Sequence, residues 1–500
     1  MKQIVITIIS AILILHFYSN GLAQQPKPNI IYFLVDDMGW QDTSVPFWDH
    51  KTKLNDRYHT PNMERLASQG MKFTQAYANP LCSPTRVSLL TGMNATRHKV
   101  TNWTLLKDKS PDKEHPVLEI PEWNVNGLSP VPDSQAGNTY YAKTLPMILK
   151  EAGYFSIHIG KGHFAAKGTL GEDPINLGFD VNVAGHAAGA PQSYYAKDNF
   201  GNDDPEHGKV WGVPGLEQYH GTDLNLTDVL TKEAVSAMEN ATIAQKPFFL
   251  YMSHYAIHGP WMKDERYYHN YEHAGLKKFD AVYASMIEGM DKSLGDIMDK
   301  LKELNIEDNT IIVFMSDNGA PQEATLNYPL RGHKLDPYEG GIRVPMIVKW
   351  PGVVKPNTSS SIPVIIEDVF PSFIEMAGIV NFNKTGSKID GKTFVPLLKG
   401  KEDDAANKRQ FVWHFPHYFS NEPYSVIREG DWKLIYHYKE SVMELYNIKE
   451  DIHEENDLSL TYTAKKSELG VKLSNYLRKV GASLPLVKKT GQPCKLPDEI

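Results

Sequence analysis

The sequence predicts an α/β protein: a large, mostly parallel or mixed sheet flanked by helices, followed by a smaller C-terminal antiparallel sheet with one helix. Three observations predict it. Near-continuous apolar runs alternate with stretches of helical period, the pattern of strands buried on both faces and joined by crossover helices. Four of those runs end directly in polar clusters. Near Lys399 the texture changes to short strands separated by turn residues.

The elements come in this order. Residues 1–23 read as a secretory signal peptide, with Lys2 at the start, an apolar run from Ile4 to Phe17, and Gly21-Leu22-Ala23 before Gln24 as the cleavage site. The run is too short for a membrane span, so the mature chain is expected to be exported, periplasmic or secreted, with no membrane association after cleavage. Asn29 to Val35 is a strand ending in Asp36-Asp37. Thr60-Pro61 opens a helix that Gly70 closes. A short helix comes next, with Ser83 as N-cap, Pro84 at the first helical position and Gly92 as the left-handed stop. Residues 103 to 139, rich in Pro, Asn and charge, read as a surface excursion. Thr144 to Gly153 is another capped helix, and Tyr154 to Ile159 is a strand running into Gly160-Lys161-Gly162-His163.

Residues 184 to 223 form a long loop rich in Gly, His and aromatics. A helix from about Thr227 to Ala244 leads to the strand Phe248 to Ser253 and then His254 to Pro260. An amphipathic helix from Leu276 to Leu304 precedes the strand Thr310 to Met315, which ends in Ser316-Asp317-Asn318-Gly319. A loop carrying Arg331-Gly332-His333-Lys334 leads to a fifth strand, Val344 to Trp350. The charged stretch from Lys399 to Asp404 separates a catalytic-sized domain, 24–400, from a small α+β subdomain, 401–500. The latter reads as a meander of Phe411 to Phe415, Tyr424 to Arg428, Trp432 to Tyr438 and Met443 to Asn447, covered by a helix from Thr463 to Val480.

Composition sets limits. The chain is 41% apolar and 22% charged, as globular proteins are. A net charge of −8 gives no electrostatic case for nucleic acid or an anionic membrane. Only Cys82 and Cys494 occur; in an exported chain an even count ordinarily suggests a disulfide, but if Cys82 is modified Cys494 is left alone in a polar tail and no disulfide is expected.

In an open α/β sheet, ligands bind beyond the carboxyl ends of the strands. Asp36-Asp37, Lys161 with His163, His258, and Asp317-Asn318 all come after strands and can therefore meet on one edge. Asp36, Asp37, Asp317 and Asn318 offer only oxygen ligands, which suits a hard divalent cation, and calcium tolerates irregular sets better than magnesium does. No Cys/His cluster has zinc spacing. Cys82 sits just before a helix N-terminus, where free amides and the helix dipole favour an anion, and Arg86 adds a fixed positive charge. Lys161 and Lys334 suit neutralisation of charge in a transition state, and the histidines suit proton transfer.

Cys82-x-Pro84-x-Arg86 followed by Leu89-Leu90-Thr91-Gly92 resembles the signature of the type I, formylglycine-dependent sulfatases, an arylsulfatase-like family of the alkaline-phosphatase-like superfamily. The resemblance runs from about Pro28 to Tyr446. It implies that Cys82 is oxidised to formylglycine by a maturase, a formylglycine-generating enzyme, and that the hydrated aldehyde supplies the attacking oxygen. It implies one calcium ion held by Asp36, Asp37, Asp317, Asn318 and residue 82. Arg86 then steadies formylglycine, Lys161 and Lys334 hold the sulfate, His163 takes the proton of the formylglycine hydroxyl as sulfate leaves, and His258 protonates the leaving alcohol. Gly162 stands where the family has a bulky aromatic, Met93 where Arg is usual, and His333 where Gly is.

The expected activity is release of inorganic sulfate from a sulfated carbohydrate, a step in polysaccharide degradation. Three rivals are a phosphate mono- or diester hydrolase of the same superfamily, a thiolate-based phosphate transferase using Cys82, and a non-catalytic sulfated-glycan binder with unmodified Cys82. Loop residues such as Trp103, Tyr194, Trp211, Trp261, His414 and His417 are candidates for stacking on sugar faces.

Overall fold

The computed structural model describes residues 27–132, 136–324, 326–380, 388–401 and 408–500. The expected signal peptide and residues 402–404 of the expected linker lie outside the described residues. Among those described, no helix is long and apolar enough to cross a membrane.

The main sheet has nine strands: β1 (Asn29–Val35), β2 (Met71–Tyr77), β3 (Phe155–Gly160), β4 (Val181–Val183), β5 (Phe248–Ser253), β6 (Thr310–Ser316), β7 (Arg343–Lys349), β8 (Thr358–Ser360) and β9 (Val364–Ile365). Their order is β8-β2-β7-β6-β1-β5-β3-β4, with β9 also pairing β2. Only β7 runs antiparallel to its neighbours. β1 lies at the centre, with Tyr32 in register with Tyr251 on one side and Val313 on the other.

The sequence of β1 explains its place. Ile30, Tyr32 and Leu34 belong to one apolar cluster, with Leu90, Leu145 and Phe373 of the helices Cys82–Thr91, Leu145–Glu151 and Val369–Met376. Ile31, Phe33 and Val35 belong to the other, with Leu230, Ile287 and Met290 of the helices Leu226–Ile243 and Lys278–Glu303. Both faces are dry, so an unbroken apolar run is what the strand needs. Each such side chain contributes about 1.5–3 kcal/mol by leaving water.

The sequence reading misses one strand and overstates one loop. The strand β2 carries no clear signal in the sequence, because Met-Lys-Phe-Thr-Gln-Ala-Tyr mixes polar and apolar residues; it lies toward the margin of the sheet and is only partly covered. Residues 103–139 are a surface excursion only in part: 107–110, 113–114 and 116–117 are exposed, while much of the rest folds back onto the molecule. Thr104, Trp123, Asn126 and Leu128 are buried, and the segment bridges at Leu106–Lys167 and Gly127–Ala165. Its polar character is satisfied internally: Asn126 Nδ2 donates to Asp108 Oδ1 at 2.6 Å and to the Gly137 carbonyl at 2.7 Å.

The C-terminal meander is β10 (Gln410–Phe415), β11 (Tyr424–Glu429), β12 (Trp432–His437) and β13 (Val442–Asn447), paired in that order. Leu469, Leu473 and Leu477 of the helix Thr463–Val480 cover Leu434, Tyr436 and Leu445. Trp413 Nε1 donates to the Ala78 carbonyl at 2.8 Å, tying the meander to the main domain just before Cys82. Cys494 is not in a polar tail: it is buried in this second core beside Leu496, and both cysteines are free thiols.

Candidate active site

In sheet order β6, β1, β5 and β3 are neighbours and all parallel, so their carboxyl ends open on one edge. The ladder continues past the strand ends and fixes the residues just beyond them. Asp317 N–H donates to the Val35 carbonyl at 3.0 Å, Asp36 N–H to Ala256 at 3.0 Å, Ile257 N–H to Asp36 at 2.7 Å and Lys161 N–H to Ser253 at 2.8 Å. Asp37 and His163 take left-handed φ of 61° and 58°, which turn the chain sharply at the strand ends.

Above this edge sits the helix Cys82–Thr91, closed by Gly92 at φ 67°. It begins earlier than the sequence suggests. Leu81 occupies the N-cap, Thr85 N–H closes the first turn on the Leu81 carbonyl at 3.3 Å, and Cys82 is the first helical residue. Ser83 does not cap; its Oγ accepts from Thr104 N–H at 3.2 Å. Cys82 is buried, and so is every other residue of the helix.

One ligand atom from each of Asp36, Asp37, Cys82 and Asp317 falls within 4.8 Å of the others, and all four residues are buried. Cys82 Sγ is 3.4 Å from Asp36 Oδ1 and 3.4 Å from Asn318 Oδ1. Asn318 Nδ2 donates to Asp37 Oδ1 at 2.7 Å. Three carboxylates are thus packed around a thiol and an amide oxygen. Arg86, wholly buried, donates through Nε and Nη2 to Asp317 Oδ2 at 3.0 and 2.7 Å, and through Nη1 to Ser253 Oγ at 2.6 Å and the Lys161 carbonyl at 3.1 Å. It therefore braces Asp317 and the end of β3. Lys161 Nζ pairs with Asp36 Oδ2. Lys334 Nζ pairs with Asp37 at 2.7 and 2.9 Å.

The charges sort themselves by these partners. Burial and Asp317 raise the Asp36 carboxyl well above the ordinary range. Asp37 is held below it by Lys334, His258 and Lys161 against the cost of burial, and Asp317 by Arg86. Burial and the neighbouring Asp36 push the Cys82 thiol up to about 12, which disfavours a thiolate at this position. Burial holds both His163 and His258 well below the usual histidine range, and nearby lysines add to it.

Carbonyl partners, which can only accept, assign the tautomers. His163 Nε2 donates to the Thr104 carbonyl at 2.9 Å, which leaves Nδ1 without a protein partner and free to accept a proton. Gly189 packs against that ring so closely that a Cβ there would lie 2.3 Å from Cε1. His258 Nδ1 donates to the Gly259 carbonyl at 2.8 Å, and Nε2 faces Asp37 Oδ2 at 3.6 Å.

Cys82, His163, His258 and Lys334 line a pocket of about 210 Å³, walled by Leu81, Trp103, Gly189, Ala190, Trp211, Leu335 and Phe419. Of the site residues read from the sequence, Cys82, His163, His258 and Lys334 line this pocket, and Asp36, Asp37, Arg86, Lys161, Asp317 and Asn318 form the hydrogen-bonded cluster behind it. Of the stacking candidates, Trp103 and Trp211 reach the pocket. Tyr194 is buried, its hydroxyl donating to the Tyr255 and His258 carbonyls, and His414 and His417 are buried too. Sequence reasoning misses Ser253, the Thr104 carbonyl, Leu335 and Phe419; a main-chain carbonyl carries no side-chain signal.

Residues 28–379 match the family model described as Sulfatase, and residues 334–482 that described as N-sulphoglucosamine sulphohydrolase, C-terminal. The chain is 31% identical to a protein named sulfatase from Formosa agariphila, over 90% of this chain and 88% of that one. It is 31% identical to N-acetylgalactosamine-6-sulfatase of Canis lupus familiaris, over 78% of this chain and 69% of that one. The crystal structure of Ps i-CgsB in complex with k-i-k-neocarrahexaose superposes with a TM-score of 0.72 at 26% identity, covering 90% of this chain and 93% of that one.

Proposed function

The chain belongs to the sulfatase family and is an enzyme of that class; on that premise we propose that it hydrolyses sulfate esters of carbohydrates, with residue 82 as formylglycine and one calcium ion. One observation carries the reading: four neighbouring strands deliver an acidic cluster, Lys161 and two histidines to the mouth of the helix that starts at Cys82, and the loop before β7 adds Lys334. The carbohydrate is suggested by what the similar proteins act on by name, and by a pocket walled by Trp103, Trp211 and Phe419.

The donor set fits a hard cation. Asp36, Asp37, Asp317 and Asn318 offer oxygens only, and Asp36 is short of positive charge even with Lys161 beside it. A calcium ion held there would supply positive charge to the sulfate oxygens. It would also free the Lys161 and Lys334 ammonium groups from the carboxylates to donate to the ester sulfate. Burial and the carboxylate of Asp36 beside the thiol at position 82 disfavour a thiolate nucleophile there. Formylglycine there, once hydrated, would offer one hydroxyl oxygen to sulfur as the S–O bond to the alcohol breaks; loss of the proton from its other hydroxyl would then break the C–O bond to sulfate and restore the aldehyde. His163 Nδ1, held open by the Thr104 carbonyl, takes the proton when sulfate is expelled. His258 Nε2 delivers a proton to the departing alcohol oxygen, and the anionic ester raises its affinity for that proton. The start of the chain, Lys2 and then an apolar run, supports export of the mature protein to the periplasm or beyond.

The test has two arms. Peptide mass spectrometry at residue 82, after co-expression with a formylglycine-generating enzyme, should show formylglycine. That protein should release inorganic sulfate from members of a panel of sulfated mono- and oligosaccharides. Faster turnover of aryl phosphate than aryl sulfate, or activity confined to sulfated steroids, would overturn the assignment.

A further inference from the structure

We propose that Asp112 and His417 are positioning residues that hold the segment 101–104 against the site, and so set the tautomer of His163 and the place of Trp103 in the pocket wall. The proposal rests on the reading of His163 as the group that takes a proton. His417, from the C-terminal part of the chain, is fully buried. Its Nδ1 lies 3.1 Å from both oxygens of Asp112, and its Nε2 lies 2.8 Å from Thr101 Oγ1. A carboxylate accepts, so Nδ1 carries the hydrogen. The other ring nitrogen, Nε2, and the Thr101 hydroxyl share the second hydrogen bond.

Asp112 is saturated. It also receives Asn102 Nδ2 at 3.1 Å, Ser110 Oγ at 2.6 Å and Trp123 Nε1 at 3.2 Å. Its side chain is 8% exposed. Thr101, His417 and Asp112 have the spacing of a nucleophile, a base and an orienting acid. Thr101, however, is buried and does not line the pocket of Cys82, so the arrangement works as a brace.

What it braces is the catalytic surroundings. Asn102 Oδ1 accepts from Trp103 N–H at 2.9 Å, and Trp103 lines the pocket. The Thr104 carbonyl, two residues on, is the acceptor that fixes His163 Nε2–H. On the other side of the brace, Phe419 stands two residues after His417 and meets Trp103 edge to face, with ring centroids 5.9 Å apart. Lys113 N–H donates to the Tyr418 carbonyl at 2.8 Å, so Asp112 and His417 lie where two loops are bonded together. Loosening the brace moves the Thr104 carbonyl, and a histidine without that acceptor is free to carry its hydrogen on Nδ1, where it cannot accept a proton.

The test uses Asp112→Asn, Thr101→Val and Thr101→Ser in the full chain. Thr101→Val is close to isosteric and removes one hydrogen bond, which keeps the test open if Asp112→Asn does not fold. One arm reads imidazole ¹⁵N shifts in protein with unmodified Cys82, the His163 signals being those lost in His163→Gln. The other reads turnover of an aryl sulfate per formylglycine residue. Asp112→Asn and Thr101→Val are expected to convert His163 from one Nε2–H tautomer to a mixture, and to lower kcat about 10- to 100-fold with KM changed less than about 3-fold, as removal of a supporting partner does. Thr101→Ser is expected to restore both. A single Nε2–H tautomer in every variant, with wild-type kcat per site and only a lower Tm, overturns the proposal. If the formylglycine-bearing wild type cleaves no sulfate ester, the functional reading fails, while the tautomer arm still decides the brace.

Discussion

Replacing Lys433 by Met removes an ammonium from a second buried charge cluster, in the seam between the two sheets. Lys433 Nζ lies 3.1 Å from Glu339 Oε1 and 2.8 Å from Glu454 Oε1, and none of the three side chains is exposed. Without that ammonium, Glu339 keeps Tyr77 OH at 2.6 Å and Arg343 Nη1 at 3.3 Å, whereas Glu454 keeps the Glu339 amide at 2.7 Å. Methionine nearly preserves the volume, so the loss is one of charge. Breaking a buried pair from one side costs about 3–5 kcal/mol. Unfolding entropy summed over a chain of this size is about 1 kcal/mol/K, so Tm should fall by about 3–5 °C. Calorimetry at several pH values is the assay. Burial and Glu339 already raise the Glu454 carboxyl above its ordinary 4.5. A group raised in the folded state stabilises fully below its unfolded pKa and loses that contribution as pH rises through its folded pKa. Without Lys433 the raise is larger. Up to about pH 7, where the wild-type Glu454 carboxyl itself titrates, both proteins lose that contribution alike, so the stability gap between wild type and Lys433→Met should widen between pH 7 and pH 8, by up to about 1.4 kcal/mol, or about 1 °C in Tm. A gap below about 1 °C at pH 8, or one that narrows as pH rises, would refute the reasoning. Adding Glu454→Gln to Lys433→Met should recover part of the loss, since the two sites are in contact.

Gly189→Ala places a Cβ 2.3 Å from His163 Cε1 and should lower kcat per formylglycine by about 10²-fold or more, measured on aryl sulfate; wild-type kcat would show that the ring has room to move. His258→Ala should cost about 10²–10⁴-fold on a sulfated sugar, whose alcohol needs a proton, and far less on p-nitrophenyl sulfate, whose phenolate does not. Equal losses on both substrates would remove His258 from the proton-donor role. His98 and His254 are buried and held neutral, with pKa values pushed down to about 3 by burial. A depressed pKa stabilises above the unfolded value, near 6.5, and loses that contribution as pH falls toward 3, at up to about 1.4 kcal/mol per unit per group. Tm should therefore fall between pH 6.5 and pH 4, and a flat profile in calorimetry over that window would contradict it.

The strand ends are legible because buried parallel strands read as unbroken apolar runs, and a polar pair straight after such a run is conspicuous. Asp36-Asp37 and Asp317-Asn318 stand out that way, Lys161 and His258 follow their strands within a few residues, and the sheet order makes them neighbours. The helix start is harder to read because Ser83 and Pro84 suit a cap and a first position, yet Leu81 closes the first turn and Ser83 is occupied by Thr104. His417 has the sequence surroundings of a surface ring for sugars. It is buried because its partner Asp112 stands 305 residues earlier, a pairing that no local pattern encodes. The pocket wall is half visible: Trp103 and Trp211 are candidates from their loops, and Phe419 is one aromatic among many.

The acidic cluster assembles from far-apart pieces. Asp37 meets Asp317 across 280 residues and Lys334 across 297. Contacts of that range form late, because the loops they close are entropically costly and the intervening sheet must pair first. A nascent or truncated chain therefore has three mutually repelling carboxylates with no shared home, and it gains a place for a cation only when β6 and the Lys334 loop are in position. A cation that binds only the finished arrangement shifts the whole folding equilibrium, by about 2.7 kcal/mol at a hundred times its dissociation constant. The cation proposed for the reaction would thus also act as a lock on completed chains, and its concentration would set how many of them stay closed.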